Sequence, residues 1–303
     1  MPNHSSNTPC PDWATALLNG FSQIFLQRHP LCGLLCLLAI LLTAPALFGG
    51  ALLGGVAGLL TAQRRGYAKA DRQAGLFSYN GILLGLLLSL ALPWSALLPP
   101  LILAAGGLSA MLTQQWLKRT RGPYCLPVYT APFVGLAWLL MSFTLPPLPA
   151  TSMEMTLPNL LAALLSGLGQ VMFLDHPVAG ALIAAGLLLT NRRAAAWALF
   201  ASAVGLAFAL SQQGNATALS GLGGYNPVLV ALALSQQRRP WPPLTGVFLV
   251  VLLTPGFTTL DLPPLTAPFI LACWLIQATG RVWRQASLDS APCALQGNRP
   301  RLR

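Results

Sequence analysis

Three patterns occur twice in this chain, in the same order. Leu18, Gly20, Gln23, His29 and Pro30 recur as Leu165, Gly167, Gln170, His176 and Pro177, an offset of 147. Gly75-Leu76-x-x-Tyr79-Asn80 recurs as Gly221-Leu222-x-x-Tyr225-Asn226, an offset of 146. Thr130-Ala131-Pro132-Phe133 recurs as Thr266-Ala267-Pro268-Phe269, with Trp138 matching Trp274, an offset of 136. A tandem duplication accounts for the shared order, with about ten residues fewer before the last match in the second half. The fold must therefore be two similar halves, and what remains is their relative orientation.

The solvent of that fold follows from polarity. Charged residues are 8% of 303 and apolar ones 55%, with a mean hydropathy of +0.65. A soluble domain carries roughly 25% charged residues, and so few charges cannot cover a water-facing surface of this size. Gly and Pro, at 28 and 26, are too frequent for soluble helices but are tolerated in membrane helices. A soluble enzyme, a disulfide-stapled secreted domain and a disordered chain are excluded. Cys32 and Cys36 lie in one apolar run and read as small packing residues rather than metal ligands.

Apolar runs at 31–48, 49–63, 75–92, 95–117 and 128–145 form the first half, and 177–191, 194–211, 219–236, 243–260 and 265–280 the second. A bilayer core of about 30 Å takes roughly 20 residues per crossing. Each half also opens with a shorter apolar stretch, 14–26 and 158–173, just before a His-Pro pair. The first of these would be about 20 Å long as a helix, too short to cross. Both read as half-helices that enter the membrane and return.

The net charge of +11 is distributed in clusters at the ends of apolar runs. These are Arg64, Arg65, Lys69 and Arg72; Lys118, Arg119 and Arg121; Arg192-Arg193; Arg238-Arg239; and a tail of Arg281, Arg284, Arg299, Arg301 and Arg303. Basic residues stay on the cytoplasmic side. With both termini inside, ten crossings put every cluster inside and the 146–157 linker, with Glu154 and no Lys or Arg, outside. Such clustering is membrane topology, and no nucleic-acid partner is expected. No basic segment followed by a short apolar core and a cleavage site opens the chain, so no cleaved signal peptide is expected.

The expected fold is thus an all-α integral membrane protein of two inverted repeats, each with five transmembrane helices plus one re-entrant half-helix. An odd number of crossings turns the second repeat upside down and brings the paired motifs to the midplane. The divisions are an N-terminal cytoplasmic tail 1–13, a first repeat 14–145, an extracytoplasmic linker 146–157, a second repeat 158–280 and a basic cytoplasmic tail 281–303.

The paired motifs are uncharged. Gln23 with Gln170, and Thr130 with Thr266, would supply oxygen acceptors beside the ends of the half-helices. Pro132 and Pro268 would disrupt the helical turn before them and leave carbonyls in need of partners. Tyr79-Asn80 and Tyr225-Asn226 read as ties between a helix end and its neighbour. His29 and His176 read as caps or interfacial residues, since two His with no carboxylate or Cys partner make a poor metal site. Read singly, a Thr can instead bond its own helix and a Gln can join two helices. No Asp, Glu, Lys or Arg falls deep in a run, so a coupled pump has no visible driving group. No cofactor site, phosphate loop or nucleophile–base set occurs, and no enzyme is expected.

Leu18-x-Gly20-x-Ser22-Gln23-Ile24, Gly75-Leu76-x-x-Tyr79-Asn80-Gly81 and Thr130-Ala131-Pro132-Phe133, each with its second copy, resemble the repeated signatures of urea transporters, from about residue 14 to 280. The resemblance implies a homotrimer whose protomers each carry a channel-like pore, with urea as permeant passing between apolar slots along a ladder of oxygens. It implies that Thr130 and Thr266 form the central site and that Gln23 and Gln170 flank the ladder. Leu26, Leu83, Phe173 and Leu229 would be slot walls. The chain departs from the family in having Leu26 where an aromatic is frequent, and His29-Pro30 and His176-Pro177 where Asn-Pro is. The resulting reading is a passive urea channel of a bacterial inner membrane, without cofactor. Its rivals are a pore for another small neutral solute (ammonia, a short amide, water) and a coupled secondary transporter.

Overall fold

The structure, a computed structural model, describes residues 12–119, 126–141, 155–212, 218–237, 239–260 and 262–289. Arg121, Arg238, the 146–154 part of the linker, the 213–217 part of one connection and the tails at 1–11 and 290–303 lie outside the described residues. Among the described residues the regular structure is helical, with no strand.

Every apolar run contains a helix. In the first half these are α1 (Asp12–Gln23), α2 (Pro30–Thr43), α3 (Pro45–Arg64), α4 (Lys69–Gln73), α5 (Tyr79–Ala91), α6 (Leu98–Arg119) and α7 (Ala131–Met141). In the second they are α8 (Leu157–Gly169), continued by a 3-10 turn at Gln170–Met172, then α9 (Pro177–Thr190), α10 (Arg192–Gln212), α11 (Tyr225–Leu234), α12 (Trp241–Thr259) and α13 (Ala267–Asp289). By length and composition α3 and α10 can each cross a membrane alone. The run containing α8 and the 3-10 turn meets α9 at a bend of 77°, and that pair passes the same test only when taken together.

Several boundaries differ from the expectation, and two of them have a plain physical reason. The break between the first two runs falls at Ala44, not between 48 and 49, because Pro45 opens a new helix and cannot donate to the one before it. The third run enters its helix only at Tyr79, since Gly75, at φ +77°, turns the chain there.

Close packing between helices rests on missing side chains. A Cβ on Gly54 would lie 1.9 Å from the Gly81 carbonyl oxygen, and one on Gly50 2.5 Å from that of Gly85. α3 and α5 therefore touch backbone to backbone, the small-residue contact by which membrane helices associate. The repeat-matched helices α2 and α9 pack on one another across the halves, with Cys32 against Gly186. Cys32 and Cys36 are buried apolar contacts there. The main core runs continuously through both halves and includes Phe133 and Phe269, Leu83 and Leu229.

Candidate functional site

Thr130 and Thr266 meet. Each stands at the N-cap of its helix, where its carbonyl accepts from Val134 (3.0 Å) or Ile270 (3.2 Å). Their hydroxyl oxygens lie 2.7 Å apart, and both residues are buried. The helices α7 and α13 thus begin at one point, and the positive ends of two helix dipoles converge on the hydroxyl pair. Pro132 and Pro268 fall in the first helical turn, where a missing N–H costs nothing. This corrects the expectation that they break a preceding turn.

The loops before the threonines correct it further, because their carbonyls are already engaged. Pro127 O accepts from the Trp274 indole and Pro263 O from the Trp138 indole, both at 2.9 Å. Val128 O accepts from Ala131 N and Pro264 O from Ala267 N. Tyr129 O accepts from the Tyr79 hydroxyl, and Leu265 O from Asn226 Nδ2. The Tyr-Asn pairs therefore hold the residue before each threonine, through Tyr79 in one half and Asn226 in the other. These carbonyls form a scaffold, and the polar groups where the two helix starts meet are the hydroxyls.

The helices that open the two halves, α1 and α8 with its 3-10 turn, end alike. In α1, Leu26 N bonds Gln23 O and Gln27 N bonds Ser22 O; after α8, Phe173 N bonds Gln170 O and Leu174 N bonds Gly169 O. This is the Schellman closure, whose left-handed residue is usually glycine. Here it is Leu26 at φ +58° and Phe173 at φ +61°. The other non-glycine residues at positive φ among those described are Tyr129 (+40°) and Leu265 (+42°), immediately before the threonines. A bulky residue in this region is a strained one, and such strain collects at functional sites. All four positions fall in repeat-matched pairs.

Of the remaining candidates, Phe173 is the one that a ring contact places beside this pair. The Phe173 ring meets that of Phe133, centroids 6.2 Å apart, three residues beyond Thr130. Leu83 and Leu229 are fully buried in the same core, and Leu26 packs against it half-buried. Gln170 donates to Ser220 O at 3.0 Å, whereas the buried Gln23 Oε1 has no partner. No hydrogen bond among the described residues joins either Gln to a Thr. His176 caps α9, its Nδ1 accepting from Val178 N, while His29 occupies the same position without a side-chain bond. Among the described residues no Asp, Glu, Lys or Arg is buried, and no His, Cys, Asp or Glu group could hold a metal.

Sequence reasoning overlooked the Trp–carbonyl pairs and Tyr129. The signal was present, because the 136 offset extends upstream to Leu126-Pro127 and Leu262-Pro263.

A helical, apolar chain in which two helix starts meet at a buried pair of uncharged hydroxyls is a helical membrane protein. The sequence profile described as urea transporter matches residues 14–281, and the chain belongs to that family. Urea transporter 1 of Ovis aries is 26% identical over 295 residues, covering 87% of this chain and 75% of that protein. Urea transporter 1 of Rattus norvegicus is 28% identical over 246 residues, covering 74% and 62% respectively.

Proposed function

We propose that this chain is a channel-like urea transporter that lets urea permeate passively and selectively. The contact between Thr130 and Thr266, where two helix N-termini converge, is the observation that carries the reading. Urea is neutral and planar, with four N–H donors and one carbonyl. Hydroxyl lone pairs receive its N–H groups, and the positive helix ends favour its carbonyl oxygen. The same ends repel a cation of similar size, so ammonium and guanidinium are excluded. Gln23 Oε1, buried without a partner, is a further acceptor that a permeating N–H group would satisfy. Phe173, Leu26, Leu83 and Leu229 are the apolar walls, and Gln170, tied to Ser220, fixes the second half-helix. The absence of buried charge among the described residues supports diffusion over coupling.

In this reading two inverted repeats each contribute five crossings and a re-entrant half-helix, α1 and α8. The protein assembles as a homotrimer in a bacterial inner membrane, with both termini cytoplasmic. Cysteines placed at Met155 and Ala70, in a background lacking Cys10, Cys125 and Cys293, test the orientation: only the first should react with an impermeant reagent from outside.

Stopped-flow urea flux into proteoliposomes tests the function. Flux should be fast, linear in urea and unchanged by a proton gradient or membrane potential. A flux that follows either gradient would mean coupled transport. Equal permeation of ammonia or water with no urea flux would mean a different solute.

A further inference from the structure

Each Thr-bearing loop is held by an indole from the other half. Trp138, two turns into α7, donates to Pro263 O, three residues before Thr266. Trp274, two turns into α13, donates to Pro127 O, three residues before Thr130. Both distances are 2.9 Å, and the four residues are related by the same offset of 136. Each indole is itself backed by an aromatic ring from the other half of the chain. Trp116 stacks on Trp274 at 5.5 Å and 18°, and Phe257 lies 6.4 Å from Trp138. Trp116 also donates to Leu126 O at 3.1 Å, beside the carbonyl that Trp274 holds.

We propose that Trp138 and Trp274 form a reciprocal latch that sets the spacing of the Thr130 and Thr266 hydroxyls, and that they are positioning residues for selectivity. The inference rests on the permeation reading above and adds the groups that define its narrowest point. A carbonyl at Thr−3 and another at Thr−1 are fixed on each side, so the N-cap cannot shift without breaking one of them. The first bond crosses between the halves, and the second comes from the same half. Rotation of α7 away from α13 must therefore break both indole bonds together. A static framework around a reacting or selecting group needs this kind of supporting contact, because a displacement of about 1 Å is enough to lose discrimination. The indoles also explain why the strained φ of Tyr129 and Leu265 persists: the surrounding bonds over-determine it.

The test uses full-length protein in proteoliposomes. Trp138→Phe and Trp274→Phe retain the ring and remove the donor. Each should lower urea permeability about three-fold or more and raise the N-methylurea-to-urea permeability ratio about two-fold or more. The double variant should resemble the singles rather than multiply them, since one broken bond already frees the pair. Wild-type ratios in folded variants with lowered Tm would reduce the indoles to packing and overturn the latch. A second measurement requires no variant: in wild-type protein labelled at the indole nitrogens, both N–H groups should exchange slowly with solvent, and rapid exchange would overturn the latch. Failure of the latch is separable from failure of the pore reading. If Thr130→Val slows urea while the indole variants keep wild-type ratios, the latch alone falls; if none of these changes flux, the pore is elsewhere.

Discussion

Leu26 and Phe173 share one backbone conformation, φ +58° and +61°, at the closing residues of α1 and of the 3-10 turn after α8, 147 positions apart. A glycine would sit at either position without steric cost. The presence of a large apolar side chain at both is explained if the side chain has work to do there, as the wall of a slot.

The first prediction follows from that pairing. The fold already accommodates Phe at position 173, so Leu26→Phe places a ring at a site of the same geometry. An aromatic face suits a planar solute better than an aliphatic one. Leu26→Phe should therefore lower the N-methylurea-to-urea permeability ratio about two-fold, with expression unchanged. An unaltered ratio would remove Leu26 from the path.

Helices α1 and α8 also depend on glycines packed against them. A Cβ on Gly33 or Gly180 would fall 1.8 Å from the carbonyl oxygen of Leu18 or Leu165, another pair at the 147 offset. Backbone cannot yield as a side chain can. Gly33→Ala and Gly180→Ala should each destabilise the protein by about 1–3 kcal/mol or more, seen as a lower Tm in detergent. Gly135→Ala is the control, because nothing lies within 4 Å of its Cβ position. It should be neutral or stabilising in its helix.

The amino end of α1 is tied to α4 by Asp12 and Lys69, 2.9 Å apart and about two-thirds exposed at each end. Hydrogen bonding to Lys69 holds the Asp12 carboxyl below the usual carboxylate range. A depressed carboxylate pKa contributes stability above its unfolded value and loses it as pH falls through the folded one. Between pH 6 and 8 the contribution is constant, and exposure to solvent keeps it small. Asp12→Asn should leave Tm little changed across that range, with any difference from wild type closing below about pH 4. A difference that varied between pH 6 and 8 would point to another titrating group.

Much of this arrangement was legible in the sequence, and the reason differs by element. The apolar runs gave the helices because a membrane helix is defined by composition over its whole length. Thr130 and Thr266 were legible because duplication marked them twice. The break at Ala44 was missed because the run is apolar on both sides of it, so hydropathy passes through while Pro45 ends the donor series. The latch was missed because the repeated Leu-Pro pairs and the repeated tryptophans each stand out in the sequence, while their pairing across the halves does not. The left-handed closures at Leu26 and Phe173 were hidden for a related reason, since glycine is the usual sign of them and neither position has one. Tyr79 and Asn226 perform one task from adjacent positions of their motif, which only three-dimensional placement distinguishes.

The last prediction concerns the hydroxyl pair. Thr130 and Thr266 are buried and 2.7 Å apart, so one hydroxyl donates to the other and the second proton is free for a further partner. Thr→Val preserves shape and removes the hydroxyl. A single substitution leaves the remaining hydroxyl without its neighbour, and an unsatisfied buried polar group costs about 1–3 kcal/mol. The double substitution removes both groups, and replacing both partners by apolar ones of the same shape is nearly neutral. Stability should therefore be non-additive: each single variant has a lower Tm, and the double recovers much of the loss. Flux should run the other way. Urea that has shed its water loses one acceptor in each single variant and both in the double. Each single should slow flux about five-fold or more, since 1.4 kcal/mol is tenfold, and the double should be slowest. Stability and flux measured on the same preparations separate the two effects. Full urea flux in a well-folded Thr130→Val, Thr266→Val protein would leave the pair a packing contact between two helix starts and place the selective point of the pore elsewhere.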